Sequence, residues 1–192
     1  MLRRVLVLVL LLSLLFPLSC SLRRPRLEET CFPLSDLSRE VSRRYKGVQV
    51  MRGLYSLKLK RDREGGLLRG EFYFDVSRGL RARFYSPFAS RIAEARVKGS
   101  EVELYFLQEG VLYRGGLQGE DVLCLRFVYG EVEGRRLPVR LIGRLGPWDF
   151  ELRLKALDLD PPPSTALPPM RVPPGVIILP LRDLLEVLGL RA

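Results

Sequence analysis

The residues able to do covalent or acid–base chemistry are few and widely spaced. Three cysteines stand at positions 20, 31 and 124, and the chain contains no histidine. Without imidazole the Ser–His–Asp and Cys–His arrangements fall away, along with most zinc sites. No pair of cysteines keeps a CxxC spacing, so no metal centre is expected. Carboxylates remain: Glu101 with Glu103, and Asp158 with Asp160. Two residues apart on a strand means one shared face. Alternation puts both pairs on the polar side, away from any apolar pocket, where solvated strand faces are the natural reading. The chain is therefore expected to be neither an enzyme nor dependent on a cofactor. Cys31 and Cys124 could pair in an oxidising compartment, or Cys124 could be a buried free thiol in the run Val122-Leu123-Cys124-Leu125.

Cys20 has a different context. Met1-Leu2-Arg3-Arg4 is a short positive region, and Val5 to Leu15 is apolar apart from Ser13. A run of about a dozen apolar residues suits a signal-peptide core, whereas a membrane span needs about 20. Pro17 would end a helix there, since it lacks an N–H and restricts its predecessor. The tail Pro17-Leu18-Ser19-Cys20 resembles the bacterial lipobox, which implies cleavage before Cys20 and acylation of its thiol with palmitate-class chains. That gives a leader over 1–19 and a mature chain of 192 − 19 = 173 residues, enough for one domain with a substantial core. Losing Arg3 and Arg4 lowers the formal charge from +10 to +8. An exported basic protein meets anionic lipid head groups or glycans, not nucleic acid. The positive residues are mostly scattered singly, as at Arg81, Arg83, Arg91 and Arg96, which suits outward strand faces.

The elements that must position these residues follow from periodicity. Residues 20–33 read as a tether, basic at Arg23, Arg24 and Arg26. Leu34, Leu37, Val41 and Tyr45 recur at helical spacing, with Ser35 placed to cap. The pattern then becomes alternating: Tyr55, Leu57 and Leu59; Phe72, Phe74 and Val76; Leu80, Ala82 and Phe84; Val102, Leu104 and Phe106. Glycine-bearing turns join these stretches, which indicates an antiparallel meander. Gly53, where the apolar face changes, suggests a β-bulge. Residues 119–129 read as a short helix behind Glu120 and Asp121, in competition with a buried strand. Strands resume at 137–145 and 148–159, the latter with Trp148, Phe150, Leu152 and Leu154 on one face. Residues 161–180 hold eight of the fourteen prolines and cannot form a central strand. Leu181, Leu184, Leu185 and Leu188 predict a helix over 180–188. The expected class is mainly β with short helices (α+β), one domain over 34–192, with about eight strands.

An antiparallel sheet with one apolar face must cover it. The face here is rich in large groups: Phe72, Phe74, Leu80, Phe84, Val102, Leu104, Phe106, Trp148, Phe150 and Leu152. These residues could line a cavity for a greasy ligand or fill an ordinary core; residue chemistry alone leaves both open.

A resemblance bears on that choice. Between about Tyr45 and Gly115 the chain resembles the LolA/LolB-like family of periplasmic lipoprotein carriers and receptors. The similar segments are Gly70-Glu71-Phe72-Tyr73-Phe74, Leu80-Arg81-Ala82-Arg83-Phe84, Ser86-Pro87-Phe88-Ala89-Ser90, Lys98 to Tyr105 and Glu109 to Gly115. The late Pro173-Pro174-Gly175-Val176-Ile177-Ile178 is also similar to that family's closing segment. The resemblance implies a strongly curved, unclosed antiparallel sheet, with helices as a lid over an apolar cavity that receives acyl chains. By the same resemblance the protein would be anchored to the outer membrane through Cys20, on its periplasmic face. Ser21, in place of the aspartate that commonly retains lipoproteins, favours that membrane. Its ligands would be acyl chains or lipoproteins, delivered by a soluble LolA-like carrier. The loop at Pro87 and Phe88 would enter the bilayer, unless Phe88 folds back as a core plug. A non-catalytic assembly lipoprotein that binds a protein partner is the competing expectation.

Overall fold

The computed structural model describes residues 29–116 and 122–190. Eleven strands form one sheet, ordered β1-β8-β9-β10-β2-β3-β4-β5-β6-β7-β11. In chain order they are β1 (Glu29–Pro33), β2 (Val50–Arg61), β3 (Glu64–Asp75), β4 (Gly79–Tyr85), β5 (Arg91–Lys98) and β6 (Glu101–Phe106). Then come β7 (Val111–Gly116), β8 (Val122–Val132), β9 (Arg135–Leu145), β10 (Trp148–Leu159) and β11 (Ile177–Pro180). Two helices accompany them, α1 (Leu37–Arg44) and α2 (Leu181–Val187), with a 3-10 turn at Leu34–Asp36 leading into α1. All pairings are antiparallel except β11 beside β7. Mainly β with short helices is the observed class, though with more strands than the eight expected.

Register fixes the faces. Phe72 pairs with Ala82, Ala82 with Ala95, and Ala95 with Leu104. On the other side of β3, Leu57 pairs with Leu152, Leu152 with Leu141, and Leu141 with Phe127. Partners across a ladder share a face and residues alternate along a strand, so all ten aromatic and aliphatic residues singled out above lie on one side. The opposite side carries the charged ladder Arg83, Glu71 and Glu94, and beside it Arg96, Glu103 and Arg114.

Curvature can be read from α2. Leu181, Leu185 and Leu190 form a cluster that packs on Val102 and Tyr113 of β6 and β7 and also on Leu145 of β9. Six strand spacings separate β6 from β9, about 29 Å on a flat sheet. Even at helical rise the ten residues from Leu181 to Leu190 span only about 14 Å. Both contacts require the sheet to bend until its two halves face each other. The apolar side is thus concave. Helix α1 crosses the same side: Leu34 and Leu37 pack with Phe32, Leu123 and Leu125, while Val41 and Tyr45 pack with Met51, Tyr55 and Phe72. All three buried clusters lie within residues 32–190, so this part carries its own core.

Several expectations are corrected. The tether does not extend over the whole of 20–33, because residues 29–33 are edge strand β1, paired with β8 and joined to it by a Cys31–Cys124 disulfide. Residues 122–132 are a strand and not a helix; the buried side chains Leu123, Leu125 and Phe127 recur at period two. Residues 117–121, where acidic side chains suggested a helix start, lie outside the described residues, as do the leader and Cys20. Ser35 sits within the 3-10 turn, and no side-chain hydrogen bond caps α1. The bulge inferred at Gly53 lies on the neighbouring strand, where β10 slips against β2 between Lys155 and Asp158. A Cβ on Gly53 would stand 2.9 Å from Leu157 Cδ2, which explains the glycine without a bulge in β2. The last four residues of the proline-rich stretch are β11, at a sheet edge, where a proline can be tolerated.

Candidate functional site

The concave face between α1 and α2 is the candidate site, an apolar trough. Its floor at β4 and β5 is made of small side chains, Ala82, Ala93 and Ala95, flanked by Phe72, Phe84, Leu104 and Phe106. The buried residues fall into three separate clusters, and most of the predicted lining residues pack against their margins. Phe72 is buried within the first, and Phe74, Leu80 and Phe84 pack against it half-buried. Leu152 touches the first and second, Phe150 the second and Val102 the third. Leu104 and Phe106 belong to none of them, although Phe106 meets the Tyr113 ring edge-on at 5.9 Å. Trp148 closes one end, its Nε1–H donating to Leu188 O at 2.8 Å under the Arg61 guanidinium. Large side chains that remain half-exposed on a concave wall keep water beside hydrocarbon. Covering that surface is favourable by about 25 cal/mol per Å².

Tyr55 and Gly70, which are not among the lining residues expected from sequence, hold the wall in shape. The Tyr55 ring crosses Gly70, where a Cβ would lie 2.4 Å from the ring, and its hydroxyl donates to Arg83 O at 3.0 Å. It also meets Phe84 edge-on at 5.7 Å. Burial pushes the Tyr55 phenol well above its ordinary pKa, as it does Tyr45, whose hydroxyl donates to Pro138 O. The signal was present in the sequence: a glycine two residues before Phe72 leaves room for one aromatic ring over a backbone.

The convex side offers ion pairs instead. Arg83 bridges Glu71 at 3.0 Å and Glu94 at 3.3 Å, and Glu94 also holds Arg91. Glu103 lies between Arg96 and Arg114. Of the carboxylate pairs, Asp158 binds Arg52 and Asp160 accepts from the Val50 N–H. Glu103, Asp158 and Asp160 are thereby engaged in holding strands together, and Glu101 shares the face of Glu103, away from the trough. The proline-rich segment straps across this convex side on its way to β11, and Leu167 O accepts from Arg81 Nη1 at 2.8 Å.

The loop after β4 is a tight turn: the Ala89 N–H donates to Ser86 O, and Ser86 Oγ accepts from the Phe88 and Ser90 N–H groups. Phe88 at its tip is 91% exposed, so it is not a core plug. Pro87 beside it is exposed too. Among the described residues no group of histidine, cysteine, aspartate and glutamate is arranged to hold a metal ion.

No family model and no curated protein matches the chain. Among solved structures it is similar to a LolA superfamily protein from Nitrosomonas europaea, at a TM-score of 0.46 and 9% identity, covering 69% of this chain and 96% of that one. It is similar to an uncharacterized conserved protein from Thermus thermophilus (TM-score 0.41, 12% identity, 74% and 98% covered). The Mycobacterium tuberculosis lipoprotein LppX is also similar (TM-score 0.35, 10% identity, 73% and 98% covered). These likenesses are distant, and the functional reading rests on the chain's own geometry.

Proposed function

We propose that the protein is a cell-envelope lipoprotein, anchored to the outer membrane through an acylated Cys20, that holds acyl chains in the trough between α1 and α2. It would assist the placement of lipoproteins or lipids in that membrane, receiving cargo from a soluble LolA-like carrier and releasing it beside the Phe88 loop. One observation carries the reading: ten large apolar side chains from four strands share one concave face, and nine of them are only half-buried. Hydrocarbon entering such a trough gains about 0.8 kcal/mol per CH₂ removed from water. Long chains therefore bind with little polar recognition, which fits a wall that offers few charged groups. The Cys31–Cys124 disulfide accords with an oxidising compartment. Catalysis has no support from these carboxylates, which lie away from the trough, with Glu103 and Asp158 held in ion pairs. The test is uptake of a fluorescent fatty acid by residues 21–192. Saturable uptake is expected, weakened at least tenfold by Leu104→Glu, which puts a charge on the half-buried wall. No uptake by the unaltered protein would overturn the reading.

A further inference from the structure

Unbalanced positive charge collects at one end of the sheet. The β2–β3 hairpin outruns its neighbour: β3 pairs with β4 only from Arg69 opposite Tyr85 onward. Residues 64–68 therefore extend past β4 as a free edge, at the same end as the loop that follows Tyr85 and carries Phe88. Within residues 58–69, Lys58, Lys60, Arg61, Arg63 and Arg69 are opposed only by Asp62 and Glu64, a formal charge of five less two, or +3. None of these five enters an ion pair among the described residues. The carboxylates opposite Lys58 and Lys60 on β10 are taken by arginines instead, Glu151 by Arg140 and Arg153 and Asp149 by Arg144. Arg61 stacks 5.7 Å over Trp148, whereas Lys58, Lys60, Arg63 and Arg69 are exposed. An open concavity of about 500 Å³ lies among Lys58, Lys60, Arg63 and Leu67.

Apolar groups are exposed at the same end. Leu67 is 46% and Phe88 91% exposed. Leu67 stands two residues beyond the Arg69–Tyr85 rung, about 7 Å at strand rise. Cations without partners beside exposed apolar side chains match a surface that is anionic outside and hydrocarbon just beneath. An acidic protein surface would satisfy the cations but leave the Phe88 ring in water.

We propose that the β2–β3 hairpin end, with Lys58, Lys60, Arg63 and Arg69 around Leu67 and Phe88, is a docking surface for a bilayer containing anionic phospholipid. This rests on the reading of the protein as an envelope lipid handler and names the surface it works on. The nine residues from Cys20 to Glu29 reach at most about 30 Å when extended, long enough to let this end turn onto the membrane that would hold the anchor.

Co-sedimentation of residues 21–192 with vesicles tests it, using phosphatidylcholine alone and phosphatidylcholine with 30 mol% phosphatidylglycerol. Binding is expected on the anionic vesicles, weakening steeply between 50 and 500 mM NaCl as screening shortens. The triple substitution K58S/K60S/R63S should weaken it about 100-fold, near fivefold per basic residue. All three side chains are exposed, so its unfolding midpoint should match the parent's. Its fatty-acid uptake should be unchanged, which separates this surface from the trough. Equal binding to both vesicle types, no binding to either, or a triple variant that binds like the parent would each overturn the proposal. Loss of fatty-acid uptake with vesicle binding intact would refute the trough and leave the docking surface standing.

Discussion

Replacing Phe88 with serine separates stability from membrane contact. The ring is 91% exposed, and the turn beneath it is held by Ser86 Oγ and backbone groups, not by the ring. Removing the ring leaves no cavity, and a surface change of this kind is worth within about 0.5 kcal/mol. The unfolding free energy of F88S should accordingly equal that of the parent within that margin in a urea titration. Entry of a phenylalanine ring into hydrocarbon contributes about 1.5–3 kcal/mol. Partition onto anionic vesicles should then weaken roughly 10- to 150-fold. A loss of stability above about 1 kcal/mol would mean that the ring is packed. Unchanged partition would mean that it never enters the bilayer. Either result refutes the role assigned to this loop.

Reducing the Cys31–Cys124 disulfide, which closes a loop 93 residues long in sequence, should cost about 2–5 kcal/mol by denaturant titration. Gly70→Val should lower the melting temperature by several degrees, since its Cβ would sit 2.1 Å from Arg83 O and against the Tyr55 ring. Acid should destabilise the fold. Glu40 is held below its ordinary pKa by Arg43, Asp75 by the Ser77 hydroxyl and Glu151 by Arg153. Groups depressed in the folded state stabilise it fully above the unfolded value and lose that contribution as pH falls through the folded one. Urea midpoints should therefore drop below about pH 4. At the alkaline end, burial raises the Tyr45 and Tyr55 phenols, so stability should hold up to about pH 10 and decline above it.

How much of this was legible follows from which signals are local. Alternation in residues 72–76, 80–84 and 102–106 placed the lining residues on one face, since period two needs no partner to be read. The disulfide was open because β1 and β8 are 93 residues apart, and only the register that sets Cys31 opposite Cys124 decides it. Residues 29–33 looked like tether because ETCFP is too short and mixed to show a period; pairing with β8 makes them a strand. The helix expected at 119–129 came from acidic residues ahead of an apolar run. The buried positions of that run, Leu123, Leu125 and Phe127, recur every second residue, and pairing with β1 and β9 overrides the local cue. Gly53 suggests a bulge, but the bulge belongs to β10, whose Ala156 takes a φ of 46°, and what Gly53 provides is room for Leu157. The hairpin's basic end was hidden among scattered charges, because it takes the Arg69–Tyr85 rung to show that residues 58–67 project together.

The trough claim can be tested with the protein's own reporter. Trp148 is the single tryptophan, half-buried at one end of the concave face. Titrating residues 21–192 with a fatty acid brominated along its chain, with Trp148 emission as the readout, should give saturable quenching at one chain per protein, its midpoint shifted at least tenfold upward by Leu104→Glu. Emission that stays constant, or falls only as bulk quencher would make it fall, would contradict an acyl chain in the trough.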